Sequence, residues 1–137
     1  VQDLKQSKRG NVLTILERYA VGDRDFQGII LRGASLSQAN LSGANLAQAM
    51  LAGSDLEAAD LSEANLVAAS LRGADLSGAF LQQANLQGAD LRGADLMGAD
   101  LREAQLEGTR MSAADYDLHT QFPVGFDPQA VGMVKVG

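Results

Sequence analysis

Seventeen Asp and Glu residues are the largest chemical resource in this chain of 137 residues, and four of them, Asp55, Asp75, Asp95 and Asp115, recur at intervals of twenty. Carboxylates can serve general acid–base chemistry or build an acidic surface. Hydroxyl nucleophiles are present at Ser35, Ser42, Ser62 and Ser77, but an Ser needs an adjacent base, and the only His in the chain, His119, lies beyond them. The absence of Cys excludes disulfides, CxxC redox pairs and Cys-based zinc or iron–sulfur sites, and one His cannot form a metal-binding cluster. The 15 glycines contain neither GxGxxG nor a Walker pattern. No catalytic, cofactor or metal site is predicted, so the chain reads as a non-enzyme.

Eleven Lys and Arg against seventeen acids give a net charge of −6, the wrong sign for a generic phosphate binder, and direct nucleic-acid binding is not expected. No apolar run approaches the roughly 20 residues that span a bilayer, and the opening VQDLKQSKRG has no signal-peptide core, so no membrane partner is expected either. A cytoplasmic location is favoured. Because the sequence starts at Val1, an exported or lumenal location after removal of a leader stays open.

The elements that position these residues follow from one repeat. Leu recurs every five residues from Leu31 through Leu106, sixteen times without interruption, and Ala stands two places before the central residue in fifteen pentads, giving a consensus A(D/N)LxG. On a helix a step of five sets successive leucines about 140° apart and leaves no apolar stripe. On a continuous strand the odd step sends alternate leucines to opposite faces. Each pentad must therefore contain its own turn, and a chain that turns the same way every five residues winds into a solenoid with Leu and Ala inside and rungs about 4.8 Å apart. In this frame the Asp or Asn before each Leu is a turn residue, because its side chain bonds local backbone.

Chemical coherence of the outward columns sets the coil length. A spacing of twenty aligns Asp55, Asp75, Asp95 and Asp115 in one column, Asn45, Asn65, Asn85 and Gln105 in another, and Gly33, Gly53, Gly73 and Gly93 in a third, beside Arg32, Arg72 and Arg92. A spacing of fifteen mixes Asn, Asp, Met and Phe. The expected fold is an all-β solenoid with four pentads per coil, residues 24–118 forming a stack roughly 20 to 25 Å tall. Around it, 1–23 is expected to be an N-terminal helical cap and 119–137 an irregular C-terminal cap or tail. In the cap Asn11 precedes a helix running to about Val21, Gly22 stops it, and Val12, Leu13, Leu16, Tyr19 and Ala20 supply the buried face. At the far end Leu118, Phe122, Phe126, Val131 and Met133, broken by Pro123 and Pro128, form either a cap or a dimer contact, leaving a monomer or an end-to-end dimer.

Pentads such as ANLSG, ADLSE and ADLRG resemble the pentapeptide-repeat family over about 95 of the 137 residues. The flanks LTILERYAVGDRDFQGIILRGASL and FPVGFDP are similar to those of cyanobacterial members. The resemblance implies a right-handed quadrilateral β-helix. It also offers a functional alternative, since some members act as DNA mimics that bind DNA gyrase. Residues 24–118 hold 13 acids and six Arg, a net −7. A duplex of similar length presents on the order of 14 charges, so the imitation is at half strength.

Outward side chains that depart from the polar rule mark the candidate partner-binding surface. Ile30, Met50 and Val67 occupy such slots around one corner, beside Arg32, Arg72 and Arg92; Phe80 stands apart. Local pairing is the competing explanation for the charges, with Arg72 three residues before Asp75 and Arg92 three before Asp95. The reading is a protein-interaction or structural module whose partner is another protein of unknown identity, with Asp55, Asp75, Asp95 and Asp115 as the acidic column of the gyrase alternative.

Overall fold

A computed structural model describes residues 11–137; the first ten residues of the expected 1–23 cap lie outside the described residues. Each pentad folds as one turn. The N–H of the Ala position donates back to the carbonyl of the preceding Leu, as in Ala74 to Leu71 and Ala79 to Leu76, both at 3.0 Å. Only the third residue of these turns has positive φ, the signature of type II. Gly fills it without strain in Gly73 (φ 68°), whereas Ala58, Ala68 and Gln83 are held there at 56°, 59° and 62° despite their Cβ atoms.

Between turns, each outward residue before Leu forms a parallel bridge with the residue twenty positions on, from Asp25 with Asn45 through Asp95 with Asp115. The ladder bonds run both ways: Asp75 N–H donates to Ser54 O at 2.9 Å, and Leu76 N–H to Asp95 O at 2.8 Å. A period of twenty in a chain that turns every five makes four sides per coil. Leu36 through Leu101 and the Ala positions form one continuous core. Burying each Leu contributes about 1.5–3 kcal/mol, which offsets the ordering of its tight turn. Ser54 replaces Ala in that column and remains buried, its hydroxyl donating to Leu51 O at 2.7 Å.

The N-terminal end is covered by α1, Val12–Ala20. Asn11 Oδ1 accepts from the Thr14 N–H at 2.9 Å, and Gly22, at φ 101°, follows the helix end. The buried stripe is Val12, Ile15, Leu16 and Tyr19, at helical spacing, with Ile15 fully enclosed. Leu13 and Ala20, expected on that face, are exposed, because positions 13 and 20 lie about 160° and 140° of rotation from Ile15. The Tyr19 hydroxyl reaches the first coil and donates to Ser42 O at 2.6 Å.

At the C-terminal end the register slips once. From Tyr116 the next inward residue is Phe122, a step of six, and Asp100 pairs with Gln121, twenty-one positions on. The extra residue is taken up in the turn at Asp117–Thr120. There Asp117 Oδ1 accepts the Gly98 N–H at 3.0 Å, a role that backbone carbonyls fill elsewhere, and the Thr120 hydroxyl donates to Leu96 O at 2.9 Å. Leu118 sits at the outside of this turn, 76% exposed, and is not part of the closure. Phe122 meets Tyr116 edge-on and stacks on Phe126, with centroids 5.5 and 5.2 Å apart. After a 3-10 turn at Gln129–Val131, strand β2 (Val134–Lys135) pairs in parallel with β1 (Asp115–Tyr116) and lays down a last partial rung, with Met133 buried.

Candidate interaction surface

With Leu and Ala inside and the backbone spent on turns and ladder, the two residues flanking each Leu and the third residue of each turn face outward to meet other molecules. They form straight columns, because every bridge from Asp25 through Asp95 is twenty residues long. The Asp and Asn column members are turn residues, as expected. Asp55, Asp75 and Asp95 each accept, through Oδ1, the N–H of the residue two places on, Glu57, Ser77 and Met97, at 2.9–3.1 Å. Asn45, Asn65 and Asn85 do the same at 3.1–3.2 Å. Asp115 continues the acidic column below Asp95.

On the neighbouring side Ile30 lies directly over Met50, with Ser70, Asp90 and Arg110 on the rungs beyond. Arg32, Ala52, Arg72 and Arg92 form the second column of that side, linked rung to rung by the Gly33-to-Ala52, Gly53-to-Arg72 and Gly73-to-Arg92 backbone bonds at 2.9 Å. Ile30, Met50 and Val67 are half-buried, and Val67 is on the adjoining side, on the rung of Ser70. Arg32 and Met50 are in contact, the guanidinium 3.4 Å from Sδ. Phe80, 47% exposed, stands on another side between Asp60 and Asp100.

The pairing of Arg92 differs from the expectation. Its guanidinium makes a two-pronged contact with Asp90, at 2.9 and 2.8 Å, rather than with Asp95. Residues flanking the same Leu point outward from one side, whereas a residue three places on is around the corner. The Arg92 guanidinium holds the Asp90 carboxyl down at about 2. Arg102 binds Asp100 in the same way and lowers its pKa. Arg72 lies exposed with no carboxylate in ion-pair range among the described residues.

Arg110 was not singled out from the sequence, although its distance of twenty from Asp90 placed it in this column. Nor was the cleft of about 630 Å³ beside the register slip, lined by Gln82, Arg102, Glu103, Phe122, Pro123 and Val124. Among the described residues no group of three or more His, Asp and Glu is gathered as metal ligands would be, and no helix is long and apolar enough to cross a membrane.

A parallel solenoid of pentads, four to the coil, with its chemistry confined to outward columns, defines the class. The pentapeptide-repeat family model matches in eight copies, over residues 25–57, 39–78, 51–88 and 74–112, and the chain belongs to that family. Among solved structures, it is 45% identical to the pentapeptide repeat protein alr5209 of Nostoc PCC 7120, over 95% of this chain and 99% of that one, with a TM-score of 0.62. Rfr23 of Cyanothece 51142 is 41% identical over 70% and 65% of the two chains, TM-score 0.69. A pentapeptide repeat protein of the Arabidopsis thaliana thylakoid lumen, AT2G44920, is 30% identical over 70% and 68%, TM-score 0.67. No curated protein sequence matches the chain.

Proposed function

We propose that the protein is a non-catalytic interaction module: a right-handed four-sided rod, 24–118, closed by segments 1–23 and 119–137, that binds another protein through the corner of Ile30, Arg32, Met50, Val67, Arg72 and Arg92. The observation that carries this is the alignment of the apolar Ile30, Met50 and Val67 with Arg32, the exposed Arg72 and Arg92 on successive rungs, in columns that the ladder holds straight. Solenoids bind by such extended surfaces. The acidic column is already engaged in its own turns through one oxygen of Asp55, Asp75 and Asp95, and the Arg column interrupts the negative field that a DNA mimic needs.

An affinity pull-down from cyanobacterial lysate, wild type beside an Arg32→Ala/Met50→Ser/Val67→Ser variant at low and high salt, tests the reading. A protein captured by the wild type and lost from the variant is the expected result. Gyrase subunits captured equally by both, and released by salt, would overturn it in favour of the acidic column.

A further inference from the structure

The charges are not spread evenly around the rod. The side bearing Ile30 and Met50 carries Arg32, Arg72, Arg92 and Arg110 against a single carboxylate, Asp90, in its two columns. The next side carries Asp55, Glu57, Asp75, Asp95, Asp115 and Asp117 with no cation in its columns. A chain with a net charge of −6 thus concentrates four of its cations on one strip. Only Arg92 of these four has an ion pair among the described residues. A ligand lying along this strip is nearest the guanidiniums, and salt weakens its repulsion by acids farther off.

We infer that this strip binds a short acidic protein segment whose carboxylates lie opposite Arg72, Arg92 and Arg110 and whose one apolar residue covers Ile30 and Met50. The inference rests on the interaction-module reading and names the partner's chemistry. Charge complementarity selects an anion. The half-buried Ile30–Met50 pair at the upper end asks for an apolar side chain, which a peptide has and a phosphodiester strand has not. Width points the same way: a narrow chain stays on one side, while a duplex overhangs the corner and meets the acidic column. From the rung of Ile30 to that of Arg110 are four steps of about 4.8 Å, a length spanned by about six extended residues.

The test is a fluorescence-anisotropy titration of the full chain with a labelled peptide of about six residues, one Leu followed by alternating Glu and Ser. Saturable binding is expected, weakened about tenfold by Arg72→Glu/Arg92→Glu and several-fold by Met50→Ser or by replacing the peptide's Leu with Ser. Arg102→Glu, on another side, should leave binding unchanged, and circular dichroism of every variant checks that the rod is intact. No binding by a folded wild type, equal weakening by Arg102→Glu, or tighter binding of a DNA duplex of similar length would overturn the inference. Failure here leaves a corner-dependent pull-down standing, and only loss of that result defeats the interaction reading itself.

Discussion

The middle of the rod and its two ends solve one problem by different means. From Leu46 to Leu96 every rung is closed by the rung twenty residues away, and the same Leu, Ala and turn positions recur with almost no variation. At the ends there is no further rung, so the chain improvises, with an amphipathic helix above and, below, a six-residue step, a cluster of three aromatic rings and a two-residue strand. The difference teaches that stability in the middle is a property of the ladder, whereas at the ends it depends on individual side chains.

The largest break in that contrast should come from the middle. Leu71→Ala removes a fully buried side chain from a column that cannot collapse without bending its neighbours, and a loss of about 2 to 5 kcal/mol is expected in urea denaturation. Ile15→Ala, equally buried but on a helix free to settle, should lose about 2 kcal/mol, at the low end of that range. Equal losses at the two sites would erase the distinction between middle and ends. Ala68→Gly should act in the opposite direction. Its φ of 59° strains an L-residue, and relief of that strain against greater freedom in the unfolded chain should leave a gain of about 0.5 to 1 kcal/mol in the same assay.

Smaller effects sharpen the outward side of the comparison. Asp75→Asn keeps the oxygen that accepts the Ser77 N–H, and Asn65 and Asn85 already serve this turn, so a change below about 0.5 kcal/mol is expected. Asp90 should show itself through pH. Its folded pKa of about 2 lies below the ordinary 3.8, so its contribution is present above about pH 4 and is lost as pH falls through 2. Acid titration of Asp90→Asn should give a shallower fall in stability over that window than wild type, and identical slopes would show the Arg92 contact to be inert.

Much of the middle was legible because a step of five is incompatible with a helix or a flat strand, and because Asp, Asn, Gly and Arg each recur at twenty. The ends were not, for physical reasons. In the helix several apolar phases fit a nine-residue segment, and the packing of Ile15 against the first coil, which selects one of them, is a tertiary contact. At the other end Leu118 has the residue type of the core, yet the closing turn needs an extra residue there, and Phe122 takes the inward place instead. The Arg92 partner was missed because sequence distance does not report corners: Asp90 shares a side with Arg92, and Asp95 does not.

The twenty-residue bridge makes the rod a ruler that is also a dial. Inserting a whole coil of twenty between Leu51 and Leu56 would lengthen it by about 4.8 Å and leave every column pointing where it did. Inserting one pentad at the same place would rotate all that follows by a quarter turn, parting Arg32 from Arg72 and bringing Asn65 beneath Met50. Length can thus vary freely among such chains only in whole coils, while any surface that spans several rungs fixes the number of pentads within it.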